Sequence, residues 1–305
     1  MSPARLTLLT TIAMLAFAAN SLLNRIALTE TDIDAASFTL IRLFSAASFL
    51  LLFLLWRRQI ALTKSASTKS ALTVWFKTLW QNGSWWSAAA LLLYAGGFSF
   101  AYRELTAATG ALLLFGAVQA TMIAWGLWQG ERPNRIQLLG LISGLAGVVW
   151  LLLPGVSAPD PLAAVLMLAA GISWGMYSLR GKGSKAPVAS TGANFIRGSL
   201  LALPLGALLM LIPGAMEFHP GSAAGVGYAL VSGVLASGAG YALWYSVLPF
   251  MQATTAATVQ LTVPAITAAA GVLIAGESLD ARLLVAFLLI IGGVAVFIRS
   301  APKKD

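Results

Sequence analysis

"TTAATVQLTVPAITAAAGVLIAGESL", residues 254–279, runs for 22 positions without a charge and stops at Gly276 and Glu277. An α-helix of about 20 residues crosses a ~30 Å hydrocarbon layer, so this run is the length of one membrane crossing. About 146 positions earlier, "GERP" (130–133) closes another apolar run with the same Gly-Glu pair. Acids are scarce here, ten in 305 residues, and that makes the recurrence informative.

The composition extends this reading to the whole chain. Apolar residues make up 59% and charged residues 10%, where an ordinary soluble domain carries about 45–50% and about 25%. Apolar runs near the spanning length recur at 6–27, 36–56, 85–102, 107–128, 135–153, 161–180, 189–211, 223–246, 253–275 and 281–299. The predicted fold class is therefore an all-α integral membrane protein with ten transmembrane helices. Only the segment 57–84 is long enough between spans to hold more structure. There Leu72, Trp75, Phe76 and Leu79 repeat at helical spacing beside Lys69 and Lys77, as in a short helix lying among headgroups, with a plain flexible loop as the alternative. Arg5, the apolar core and "AFA" (16–18) resemble a secretory signal. The apolar pattern nevertheless continues through "NSLLNRIAL", and the first helix is expected to be retained.

Charge sets the orientation. With the N-terminus in the cytoplasm, cytoplasmic segments collect 14 Lys/Arg and two acids. The outer segments collect Arg25, Arg103, Arg282 and eight acids. This asymmetry follows the positive-inside rule and places both termini in the cytoplasm of a bacterial-type inner membrane. The net charge of +9 then reflects topology, and no nucleic-acid partner is expected. The absence of cysteine removes disulfides, thiol catalysis and Cys-based metal sites. The lone His219 falls in an outer loop. No catalytic residue, metal or cofactor is expected.

Shifted by 146 residues, 107–151 meets 253–297 without a gap, pairing Thr109 with Thr255, Thr121 with Thr267, Gly130 with Gly276, Glu131 with Glu277 and Gly147 with Gly293. At a shift of 155, "IR" (41–42) meets "IR" (196–197), which pairs the intramembrane Arg42 and Arg197. The chain thus divides into two five-helix repeats, 1–156 (with the cytoplasmic loop 57–84) and 157–305. Five crossings are an odd number, so the second copy enters the membrane inverted, as in secondary transporters. Each Gly-Glu is expected to end the fourth helix of its half, the glycine stopping the helix and the acid staying wet.

The stretches "GYALWYSVL", "ATVQLTVPAITAAAGVLIAGESL" and "LLIIGGVAVFI" within 237–297 resemble the drug/metabolite transporter superfamily, specifically its EamA-type ten-helix exporters. The first half matches through "AANSLLNRIAL" (18–28), "IRLFSAA" (41–47) and "GERPNRIQLLGLISGLAGVVWLLL" (130–153), departing where Val118 aligns with Pro264. The resemblance implies alternating-access export of small metabolites, with amino acids, aromatic ones included, prominent as cargo.

The cargo path of such a bundle runs between the halves. Tyr94, Phe98 and Tyr102 share a face of the third helix. Ser237, Tyr241, Trp244 and Tyr245 lie together on the eighth, and a shift of 143 equates Phe98 with Tyr241. Asn20 and Asn24 stand one turn apart on the first helix, Trp174 and Tyr177 lie on the sixth, Gln119 on the fourth, and Gln260, Pro264 and Thr267 on the ninth. Rings offer apolar area with a polar handle. Amides must face the bundle interior or a wet cavity. Both readings, cargo lining and plain interhelical packing, hold for each. Pro264 would break its helix and free a carbonyl, or kink it. Arg42 and Arg197 have two readings as well: carboxylate binding or gating, and snorkelling with cation–π and carbonyl contacts. No Asp or Glu lies deep in a span, which favours a facilitator over proton coupling. Drugs, nucleosides or other neutral metabolites are alternative cargoes. A membrane enzyme would need a nucleophile–base pair that the spans do not offer. Gly140 and Gly144 fit packing within a monomer or across a homodimer equally well.

Overall fold

Hydrocarbon leaves backbone N–H and C=O groups without water, so long apolar runs must close their hydrogen bonds internally as helices. A computed structural model shows this for residues 1–62, 77, 79–130, 132–153, 158–181, 184–211, 219, 221–251 and 259–300, the residues described below. The helices are α1 (Pro3–Glu30), α2 (Ala35–Leu62), α3 (Trp85–Ala101), α4 (Ala107–Trp128) and α5 (Arg135–Leu152). They continue as α6 (Pro161–Gly181), α7 (Pro187–Met210), α8 (Ala223–Phe250), α9 (Thr262–Ala275) and α10 (Ala281–Arg299). No strand occurs among the described residues. Six of these helices, α1, α2, α4, α5, α6 and α8, are long and apolar enough to cross a membrane, and α3, α9 and α10 are shorter apolar helices. The protein is an all-α, multi-span membrane bundle.

Three acids sit where helices begin. Asp34 Oδ1 accepts from Ala36 N and Ser37 N at 2.8 and 2.9 Å at the start of α2. Asp160 accepts from Ala163 N at 2.8 Å, and Asp280 from Leu283 N at 2.7 Å. The first N–H groups of a helix lack intrahelical partners and carry the positive end of its dipole, so a carboxylate there satisfies both. The contact between Asp32 and Ser222 uses the same chemistry: Asp32 Oδ1 accepts from Ser222 N at 2.6 Å, and that bond holds the Asp32 carboxyl below its usual range. His219 Nε2 lies 3.8 Å from Asp32 Oδ2, which keeps this histidine in the loop assigned to it from sequence.

Gly276 ends α9 in the left-handed region (φ 63°), and Glu277 N donates back to Gly271 O at 3.0 Å. The Glu277 side chain, expected to stay wet, is only 8% exposed. It reaches the start of α4, where its two oxygens accept from Ala107 N at 2.7 and 3.0 Å, and it lies 3.6 Å from Arg25. Arg25 also donates to the carbonyls of Tyr102 and Arg103 at the end of α3. The orphan N–H of α4 draws the acid inward, and one carboxylate ties α1 and α4 to the α9–α10 turn. Its sequence counterpart Glu131 lies outside the described residues, as do Lys69, Leu72, Trp75 and Phe76 of the 57–84 segment.

Helix pairing follows a pattern that returns itself when each helix is exchanged for the one five places on. α5 packs on α10, α4 on α9 and α2 on α7; α1 packs on α8 and α9, and α6 on α3 and α4. At the α5–α10 crossing two glycines bring backbones together. A Cβ on Gly140 would stand 2.5 Å from Gly293 O, and one on Gly293 2.4 Å from Gly140 O. Ser143 Oγ donates across to Leu289 O at 3.1 Å. Gly140 therefore serves packing within the chain. Gly140→Ala should push the helices apart and cost about 1–3 kcal/mol. Gly144→Ala, whose Cβ would meet only Val294 at 4.0 Å, should be tolerated. Thermal unfolding in detergent distinguishes the two, and equal losses would contradict this packing.

Candidate functional site

Phe17, Asn20 and Ser21 occupy one face of α1, and that face is buried against helices of both halves. Around it close Tyr94 and Phe98 of α3, Leu114 and Phe115 of α4, Trp174 of α6 and Tyr241 of α8. They enclose a cavity of about 10 Å³, room for one water. An organic molecule would fit there only if these side chains parted.

The rings hold one another edge-on. Phe17 meets Tyr241 at 5.6 Å, and Trp174 and Trp244 each at 6.1 Å, in T-shaped contacts. Trp174 lies 4.8 Å from Tyr241 and 5.1 Å from Tyr94. Such offset and edge contacts are the favoured aromatic geometries. The polar side is ordered by Asn20, whose Nδ2 donates to Tyr94 Oη at 3.2 Å while its Oδ1 accepts from Ser232 Oγ at 2.6 Å. One amide thus joins α1, α3 and α8. One turn along, Asn24 Nδ2 donates to Ser99 Oγ at 3.1 Å, and its buried Oδ1 has no hydrogen-bond partner among the described residues.

Five of the residues singled out from sequence, Asn20, Tyr94, Phe98, Trp174 and Tyr241, therefore share one cavity wall. Tyr177 stacks behind Trp174 at 5.5 Å, and Trp244 backs Phe17. Asn24, Gln119, Gln260 and Thr267 are buried but lie off that wall. The Gln260 and Thr267 side-chain oxygens lack hydrogen-bond partners among the described residues. Pro264 is the third residue of α9. In the first turn its missing N–H costs α9 nothing, and a turn at Leu261 separates α9 from the helical residues 259–260 ahead of it. Tyr102 and Tyr245 are buried as well, and Tyr102 packs edge-on to Phe98 at 4.7 Å.

The paired arginines differ. Arg197 of α7 donates to the carbonyls of Trp80, Asn82 and Ala193 and lies over the Trp80 ring at 4.2 Å, pinning the approach to α3. Arg42 does not snorkel. It is 1% exposed, donates to Ala95 O of α3 at 3.0 Å, and lies over the Phe98 and Tyr94 rings at 5.2 and 5.6 Å.

Sequence reading missed Phe17, Ser21, Leu114 and Phe115. Phe17 was legible, since it shares the i, i+3, i+7 face of Asn20 and Asn24. It also missed a π-helical segment inside α8, Ser232–Ala239. Its run "SGVLASGAG" is the signal: Gly233 is so close to α2 that a Cβ would stand 2.6 Å from Arg42 O. π-segments inside α-helices concentrate at functional sites.

Residues 161–299 match the model of the EamA-like transporter family. PA1977 of Pseudomonas aeruginosa, an uncharacterized protein, is 47% identical over 302 residues, 98% of this chain and 96% of its own length. The chain belongs to the EamA-like transporter family. A second relative, the uncharacterized transporter YwfM of Bacillus subtilis, is 28% identical over 226 residues, 72% of this chain and 73% of its own. A solved crystal structure 16% identical shares the fold, with a TM-score of 0.65 over 97% of this chain and 98% of that one. As an EamA-like protein the chain is a multi-pass membrane transporter of small molecules.

Phe17 is the ring against which three others rest. Phe17→Ala should lower stability by about 3–5 kcal/mol, read as thermal unfolding in detergent. Trp86→Ala, at a position 78% exposed, should leave the transition within about 0.5 kcal/mol. A Phe17→Ala protein as stable as Trp86→Ala would show that the rings do not depend on it.

Proposed function

We propose that this EamA-like protein exports amino acids, aromatic ones included, across a bacterial-type inner membrane by alternating access. The observation that carries this reading is the enclosed cavity of rings and one ordered amide. Its walls come from α1, α3 and α4 on one side and from α6 and α8 on the other. Repeats 1–156 and 157–305, inserted inverted with both termini cytoplasmic, would exchange conformations around it. The rings suit an aliphatic or aromatic side chain, and the amide and hydroxyls suit its polar end.

The spans contain no Asp or Glu to carry a shifted proton, which supports facilitated movement without proton coupling. Purified protein in liposomes, offered labelled tryptophan, threonine and glutamate with and without an inside-alkaline pH gradient, tests both statements. Protein-dependent entry of tryptophan and threonine that ignores the gradient is the expected result. Accumulation driven by the gradient would contradict the uncoupled mode. No flux of any of the three by folded protein would turn the cargo toward nucleosides or drugs.

A further inference from the structure

Resting on that reading, we infer that Arg42, and not its repeat counterpart Arg197, is the specificity residue of the cavity, and that it takes the carboxylate of the cargo. The two arginines occupy equivalent positions at a shift of 155, yet their donors are spent differently. Arg197 is engaged by three carbonyls through both Nη atoms, two of them in the segment before α3, and its guanidinium covers Trp80, which leaves only its Nε without a partner among the described residues. Among the described residues Arg42 makes one hydrogen bond, to Ala95 O, and its buried Nη1 has no partner.

A buried guanidinium donor without an acceptor is expensive, most of all in hydrocarbon. No acid lies within the spans to neutralise it. The location explains why it is kept. The two rings that carry the guanidinium, Tyr94 and Phe98, are also two rings of the cavity wall. The cavity has room for no more than about one water, so cargo enters only as these rings part, and parting them joins Arg42 to the cavity. A carboxylate then accepts from Nη1, supplies the missing counter-charge and gives a charge-assisted bond in a site closed to water. Until then the ring faces shield the cation, at the smaller strength of a cation–π contact. Ring parting and charge pairing are thereby coupled: a cargo lacking the carboxylate would open the rings and leave the guanidinium unpaired. An amine without a carboxylate would also meet a like charge. Arg42 thus selects carboxylates and rejects cations at one atom.

The test compares three probes in liposomes: tryptophan, indole-3-propionate, which keeps the carboxylate, and tryptamine, which keeps only the amine. Wild-type protein should move both carboxylates at least tenfold faster than tryptamine. Arg42→Gln should abolish that preference by slowing the carboxylates at least tenfold, Arg42→Lys should restore part of it, and Arg197→Gln should leave the ratio unchanged in whatever protein folds. The wild-type ratio stands even if the Arg42 variants fail to fold. Wild-type protein that moves tryptamine as fast as tryptophan overturns the assignment to Arg42 and leaves the amino-acid carrier intact. Folded Arg42→Gln that keeps the preference overturns it too. Wild-type protein that moves none of the three overturns both readings.

Discussion

A polar group inside hydrocarbon must find its partner within the protein, and that requirement organises this molecule. It forces each span into a helix, and it collects the polar side chains at helix crossings. Asn20 bonds to Tyr94 on one neighbour and Ser232 on another, which places a single amide at the junction of α1, α3 and α8. Glu277 satisfies the first N–H of α4. The carboxylates that remain outside serve largely as helix caps, at Asp34, Asp160 and Asp280. Acid was thus retained where an orphan N–H needed it, and the spans were left without it.

The same constraint sets what can move. Interfaces between membrane helices gain no hydrophobic drive from lipid and depend on close backbone approach. The α5–α10 crossing, closed by Gly140 and Gly293, is of that tight kind. The cavity is of another kind: its contacts are ring edges and two amide hydrogen bonds, and α8 there carries a π-segment rather than regular helix. Rotating rings costs less than separating glycine-packed backbones. Motion is accordingly expected at the junction of α1, α3 and α8, with α5 and α10 as the rigid pair.

Much of this was legible in the sequence because hydrocarbon punishes ambiguity. Each of the ten apolar runs carries a helix among the described residues, and Asn20, Tyr94, Phe98, Trp174 and Tyr241 stood out as polar or aromatic residues in apolar runs. What could not be read was direction. Nothing in the spacing shows that Arg42 turns toward Tyr94 and Phe98 while Arg197, its repeat partner, turns toward the segment before α3. Glu277 was read correctly as a turn residue, yet its inward reach depends on where α4 begins in space. Phe17 was passed over because a phenylalanine in a membrane helix looks ordinary until its face is compared with that of Asn20.

The central claim is that cargo occupies the cavity beside Asn20 and Ser21. The chain has no cysteine, so Ser21→Cys would be its only thiol, on the cavity wall. The most direct measurement is the rate at which a membrane-permeant thiol reagent labels Ser21→Cys protein, with and without saturating tryptophan. Slow labelling, suppressed severalfold by tryptophan, is expected of a cavity that opens and is then filled. Labelling that tryptophan does not change, in protein that still transports it, would place the cargo elsewhere.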